Sequence, residues 1–165
     1  APHHRTLAEF GFPPGVYPVG RLDADSEGLL LMTNNGDIIN RMMRAANKHE
    51  KEYKVTVDKP VTDEFLKEMA GGVPILDTVT RPCQVEKLGK YKFKIILTQG
   101  LNRQIRRMCE ALGYEVKELR RVRIMNIELG NLKPGEYRKV TDQELNELYE
   151  LIRDSKSEPT PWNNN

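Results

Sequence analysis

The stretch Glu50-Lys51-Glu52-Tyr53-Lys54-Val55-Thr56-Val57-Asp58-Lys59-Pro60 carries the clearest strand signal in the chain. Tyr53, Val55 and Val57 alternate with polar residues, the period of a half-buried strand, and Pro60 ends the run because it lacks an N–H for a ladder. Downstream, Thr62 is placed to cap a helix bearing Phe65, Leu66 and Met69, closed by Gly71-Gly72. Residues 79–88 and 91–98 read as two strands about a turn at Gly89-Lys90. Asn102 then heads a helix with Ile105, Met108, Cys109 and Leu112 on one face, ended by Gly113. Residues 116–129 are strand-like, and Thr141-Asp142-Gln143-Glu144 is a capping box ahead of Leu145, Leu148 and Ile152.

Upstream, residues 16–19 and 28–33 read as strands on either side of an acidic loop. Asn34-Asn35-Gly36-Asp37 turns the chain and offers Asp37 or a neighbour as N-cap to a helix carrying Ile38, Ile39, Met42, Met43 and Ala46. Pro2, Pro13, Pro14 and Gly15 leave room for one helical turn around residues 6–10. Strands interspersed with helices and hairpin turns indicate an α+β fold: a mixed, largely antiparallel sheet flanked by helices.

The 165 residues suit one domain with a real core, and the charged fraction of 30% places much of the chain at a surface. The longest apolar runs, such as Leu29-Leu30-Leu31-Met32, are too short for a membrane span, and no secretion signal is expected. Two cysteines and three histidines form no cluster with zinc-ligand spacing, so no metal is expected, and Cys83 and Cys109 read as reduced buried thiols.

The formal net charge of +2 hides a polarised chain. Residues 99–125 hold Arg103, Arg106, Arg107, Lys117, Arg120, Arg121 and Arg123 against three glutamates, whereas residues 136–158 carry seven acids against four bases. Arginine suits phosphate forks and base stacking, so an RNA or other polyanion stands beside a solvated helix face as a reading. Gly20-Arg21-Leu22-Asp23-Ala24-Asp25-Ser26-Glu27-Gly28 holds three acids and an arginine in a glycine-bounded loop. By itself the loop reads as an acidic surface turn. Its chemical readings are a pair of acids working as general acid and base, or one buried acid kept ionised by an arginine from elsewhere. Tyr53 alone reads as core. Three arginines in the first two turns of the helix after Asn102 oppose its dipole, which implies an anion or carboxylate nearby.

Taken together and in this order, Val19-Gly20-Arg21-Leu22-Asp23 running into Ser26-Glu27-Gly28-Leu29-Leu30-Leu31, then Glu50-Lys51-Glu52-Tyr53, then residues 99–108 resemble the RsuA-like family of ribosomal RNA pseudouridine synthases. The likeness extends from about Val16 to Leu151. Residues 49–58 and Gly72-Val73-Pro74-Ile75-Leu76 look most like the branch acting on large-subunit ribosomal RNA. The resemblance implies that Asp23 is the essential aspartate acting at the ribose of the target uridine. It also implies that Arg106 is its ionic partner and that Tyr53 stacks on the base and assists proton loss at C5. Arg21 would fill the gap left by a flipped uridine, and Arg103, Gln104, Arg107, Arg120, Arg121 and Arg123 would contact RNA. Asp25 and Glu27 are expected to be loop residues rather than second catalytic acids. The reaction is an isomerisation, so no cofactor is implied. A cytoplasmic monomer acting on ribosomal RNA is the expectation.

Members of that family commonly carry a small N-terminal RNA-binding module and an early strand with a Lys-Pro motif, and neither precedes Ala1. Residues 1–154 are therefore expected to be a catalytic domain lacking both, and residues 155–165 a polar tail. Two other functions compete. A non-catalytic RNA-binding or ribosome-assembly protein would use the arginines and not Asp23. A glycoside hydrolase using Asp23 and Asp25 would leave Tyr53 and the arginines without a role.

Overall fold

The computed structural model describes residues 11–44 and 49–153. The turn expected around residues 6–10, Ala46 and the tail at 155–165 lie outside the described residues. From the N-terminus come β1 (Tyr17–Pro18), β2 (Glu27–Gly28), β3 (Met32–Thr33), α1 (Gly36–Arg44) and β4 (Lys51–Val57). Then follow α2 (Asp63–Gly71), β5 (Pro74–Ile75), β6 (Thr78–Val79), β7 (Gln84–Gly89) and β8 (Lys92–Leu97). The series ends with α3 (Gln104–Ala111), β9 (Val116–Ile124), β10 (Ile127–Glu128) and α4 (Asp142–Arg153).

The main sheet runs β10-β9-β4-β8-β7, with β2 also on β9. Only the β2–β9 pair is parallel, so the fold is α+β around a mixed, largely antiparallel sheet. β4 is paired along both edges, which its valines suit: Val55 and Val57 are buried. Phe93, Ile95, Phe65, Met69, Met108 and Leu119 join them in one core under α2 and α3. A second core gathers Leu29, Leu31, Ile38, Met42, Ile124, Ile127, Leu148 and Ile152, from α1, α4 and the end of β9.

Residues directly opposite on paired strands share a face. Leu119 lies opposite Val55, and Ile124 opposite Lys51, so both cores rest on the same face of the sheet. The register shifts between Glu52 and Tyr53, where Tyr53 faces Arg121 but Glu52 faces Arg123, leaving Val122 as the extra residue of a bulge. The other face carries charge in rows: Lys94, Lys54 and Arg120 lie side by side, with Glu86 pairing Lys94 and Glu27 pairing Arg120, each at 2.9 Å.

Three stretches that read as single strands are divided. Residues 28–33 leave β9 after Gly28 and cross to pair with β1 as β3. Residues 79–88 split at Pro82, which separates the β5–β6 ribbon from β7, and the β7–β8 turn falls at Lys90-Tyr91. Residues 116–129 fold back at Met125 (φ 54°), so that Ile127 pairs with Ile124. The breaks after Gly28 and at Met125 bring Leu29, Leu31 and Ile127 into the second core. The caps differ less. Asn35, rather than Asp37, caps α1, its Oδ1 accepting from Asp37 N at 3.0 Å and Ile38 N at 3.4 Å. Thr62 caps α2 through Phe65 N. Asn102 does not cap α3, whose N-cap is Arg103 in the left-handed region. The cysteines are free thiols, Cys109 buried and Cys83 half-buried, and burial pushes them up to about 12 and about 11.

The capping box on α4 closes: Thr141 Oγ1 accepts from Glu144 N (3.1 Å), and Glu144 Oε1 accepts from Thr141 N (2.9 Å). Arg138 adds a fork to the Glu144 carboxylate at 2.7 and 2.9 Å, and that fork, then the Thr141 N–H, hold the carboxyl down at about 2. A carboxyl lowered on folding stabilises fully above its unfolded value of about 4.3 and loses that stabilisation as pH falls through the folded one. Glutamine keeps the capping box and loses the charged fork to Arg138, so Glu144→Gln is expected to lower Tm at pH 7 by a few degrees at most, under about 1 kcal/mol. It should also flatten the fall in Tm between pH about 4.5 and 2. Thermal denaturation across that range checks both; an acid limb as steep as the parent's would refute the assignment.

Candidate active site

The acidic loop hangs between two fixed points. Val19 N donates to Leu31 O at 2.8 Å, and Leu29 N donates to Arg121 O at 2.8 Å. Within the loop, Ser26 N turns back onto Asp23 O at 2.9 Å. Gly28, with φ 117°, lets the backbone lie directly on β9. Arg121, 4% exposed, completes the attachment from below: its Nε donates to Leu29 O (2.9 Å) and its Nη1 to Arg21 O (3.2 Å). One guanidinium thus grips both ends of the segment that carries Asp23, and it does so from the strand position opposite Tyr53.

The head of α3 meets the same loop. Arg103 donates through Nη1 and Nη2 to the two oxygens of Asp25, at 3.0 and 2.6 Å. Arg106 donates through Nη2 to Asp25 O at 2.5 Å, with its Nε 3.4 Å from Asp25 Oδ2. The Arg103 fork, and then the Arg106 charge, hold the Asp25 carboxyl below its ordinary range, and Asp25 in turn raises Arg103. Two of the three arginines that oppose the helix dipole are thus matched by a carboxylate.

The expected Asp23–Arg106 pair is not formed, because Arg106 is taken up by Asp25. The cation nearest Asp23 is Arg103, with Nη1 3.9 Å from Asp23 Oδ2. Glu27 accepts from Arg120 Nε and Nη2 at 3.1 and 2.9 Å. Of the three loop acids, Asp25 and Glu27 are held in forks. The Asp23 carboxylate accepts no hydrogen bond among the described residues, and its side chain is 30% exposed.

Several arginines expected at RNA are engaged within the chain instead. Arg121 is buried under the loop. Arg107 folds back on Asn102, donating from Nε to its carbonyl (3.0 Å) and from Nη2 to Oδ1 (2.8 Å). Arg123 is divided among Glu52, Glu50 and the Met125 carbonyl. Gln104 is buried: its Oε1 accepts from Leu101 N at 3.1 Å and its amide donates to Gln99 Oε1, a bond set that shapes the turn into α3. Arg21 and Arg120 are exposed.

Two residues escaped the sequence reading of the site: the buried role of Arg121, and Lys51. The signal for Arg121 was present, since Leu119 and Arg121 stand two apart and must share the inward face of a strand. Lys51 stands two before Tyr53, on the same face, opposite core residue Leu97. Burial, and then the Arg121 charge, lower its ammonium to about 8. Among the described residues no cluster of three or more His, Cys, Asp or Glu side chains could hold a metal ion, and no helix is long and apolar enough to cross a membrane.

The sequence pattern of the RNA pseudouridylate synthase family matches residues 5–111. A dual-specificity RNA pseudouridine synthase RluF from Shigella flexneri is 59% identical over 146 residues, covering 88% of this chain and 50% of that protein. A ribosomal large subunit pseudouridine synthase E from Xanthomonas campestris pv. campestris is 37% identical and covers 83% of each chain. Among solved structures, one described as a pseudouridylate synthase superposes with a TM-score of 0.81 at 32% identity, over 87% of this chain and 65% of that one. The chain spans about half the length of the RluF relatives that it matches. With its motifs, its sheet and its relatives in agreement, this chain belongs to the RNA pseudouridylate synthase family.

Proposed function

We propose that the chain isomerises a uridine of ribosomal RNA, in the large subunit, to pseudouridine. One observation carries this: of the acids in the loop, Asp23 alone has a carboxylate that accepts no hydrogen bond among the described residues, while Asp25, Glu27 and four arginines, Arg103, Arg106, Arg120 and Arg121, hold the loop still. That is the division expected of a reactive group and its frame. The relatives' names, which specify ribosomal large subunit and RNA pseudouridine synthesis, support the substrate class.

The chemistry conserves atoms. The N1–C1′ bond breaks with its electron pair left on the uracil, the base turns over, and C5 bonds to C1′. The C5 proton leaves to a base and N1 takes up a proton. Asp23 acts at the ribose and Tyr53 lies against the base. Arg103 and Arg106 are positioning residues that fix the loop through Asp25. Arg21 and Arg120, exposed beside the loop, meet the RNA. Residues up to 154 form the catalytic domain, acting in the cytoplasm as a monomer. No oxidant, reductant or group donor is required by an isomerisation.

The test is incubation with large-subunit ribosomal RNA tritiated at uridine C5. Tritium release, with pseudouridine mapped to a discrete position, is expected. Tight RNA binding with no release would favour the non-catalytic alternative, and release of free uracil would favour the hydrolase.

A further inference from the structure

Arg121 holds more hydrogen-bonding capacity than its two loop carbonyls consume. Its Nη2 is buried without a partner among the described residues. An unpaired donor on a buried cation costs free energy and leaves that donor open to a partner in function. Lys51 adds to the anomaly. It is partly buried on the same sheet face, and its ammonium makes no ion pair or hydrogen bond among the described residues. Although burial and Arg121 lower it to about 8, it remains charged at neutral pH. Two uncompensated cations thus flank Tyr53, one two residues before it on β4 and one directly across on β9.

The surroundings select the kind of anion. Leu97 and Ile124 lie opposite Lys51 on either side, and both are buried and apolar. A phosphate would have to surrender its hydration to enter such a place. A uracil carbonyl enters neutral and becomes anionic only as the N1–C1′ electron pair moves onto the ring. Fixed buried cations stabilise that change more than they stabilise the ground state. Resting on the activity proposed above, we infer that Arg121 and Lys51 form a cationic receptor for the carbonyl oxygen of the target uracil, and that Arg121 is a positioning residue for the Asp23 loop as well.

The electron balance is simple: heterolysis leaves the pair of the N1–C1′ bond on the uracil, spread over O2 and O4 beside the cations. Formation of C5–C1′ returns a pair to the ribose carbon. The receptor exchanges no proton in these steps.

Arg121 also ties down the loop, so the primary variant is Lys51→Met, which removes charge while keeping length, and Arg121→Lys is the second. Both are first compared with the parent by circular dichroism and Tm. Single-turnover rates of N1–C1′ cleavage are then measured on a large-subunit RNA fragment with either uridine or 5-fluorouridine at the modified position, alongside RNA Kd by filter binding; they are read as loss of the starting nucleoside, because fluorine cannot leave C5 as a proton does. Fluorine makes the uracil anion intrinsically more stable, so a receptor for that anion matters less. Lys51→Met is expected to slow the uridine substrate by about 10- to 100-fold with Kd unchanged within about twofold. The deficit should shrink to about threefold on the 5-fluorouridine substrate. Arg121→Lys, if as stable as the parent, should show the same contrast. Equal deficits on both substrates would place the cations on Asp23 or the ribose and overturn the receptor, as would a loss appearing only in Kd. An active parent with an unimpaired Lys51→Met overturns this inference alone. A parent that forms no pseudouridine overturns the proposed function and the receptor with it.

Discussion

Asp23→Asn should leave the fold intact and remove pseudouridine formation, by about ten-thousandfold or more, the scale on which loss of an essential nucleophile or base is felt. The first half of that expectation follows from contacts. The Asp23 carboxylate accepts no hydrogen bond among the described residues, and Arg103, 3.9 Å away, has its fork on Asp25. Asparagine has the same shape and leaves that fork untouched. The second half follows from chemistry, since an amide neither attacks C1′ nor accepts a ribose proton. Circular dichroism and Tm report on the fold, and tritium release from C5-labelled RNA reports on the reaction. Residual activity within about tenfold of the parent would remove Asp23 from the mechanism, whatever the fold family.

Gly28→Ala should be the most damaging single methyl in the loop. A Cβ there would lie 2.2 Å from Arg121 O and 2.5 Å from Arg121 N, backbone atoms of a central strand that have nowhere to go. The φ of 117° adds strain of its own. Relief requires lifting the loop off β9, losing the Leu29 N–Arg121 O bond, and dislodging Leu29 from the second core. A loss of about 4 kcal/mol or more is expected from that combination. Gly20→Ala is the control: φ is 81°, but nothing lies within 4 Å of its Cβ, so only backbone strain remains, about 1 kcal/mol. Urea denaturation of the two variants beside the parent decides it. Similar losses at both positions would mean that the loop does not rest on the strand as closely as described.

Short-range patterns were legible because their causes are short-range. The alternation of Tyr53, Val55 and Val57, the Thr62 cap and the Thr141–Glu144 box each depend on neighbours within four residues, and the structure shows all three. The division of residues 28–33 was not legible, because what stops them from being one strand is β9, some ninety positions away. Pairing partners were hidden for the same reason. Which of Asp23 and Asp25 meets Arg106 depends on how a loop from one end of the chain meets a helix from the other, and the motif spacing contains no such distance. Gln104 and Arg107 were read as RNA contacts from their chemistry, yet local hydrogen bonds to Leu101 and Asn102 claim them first.

The bulge at Val122 sets a rule of parity for β9. Leu119 is odd and packs in the first core; Ile124 is even and packs in the second, on the same face. A strand of strict alternation cannot present both inward, so one surplus residue switches the phase between the two halves. The surplus also falls immediately after Arg121, the last inward residue of the odd half. Removing or adding a single residue between 119 and 124 would therefore rotate one entire core's contribution to solvent. Chain length in this strand is thereby specified as tightly as side-chain identity. The loop that carries Asp23 is governed differently: the separation of its two ends, at Arg21 O and Leu29 O, is set by the reach of one arginine.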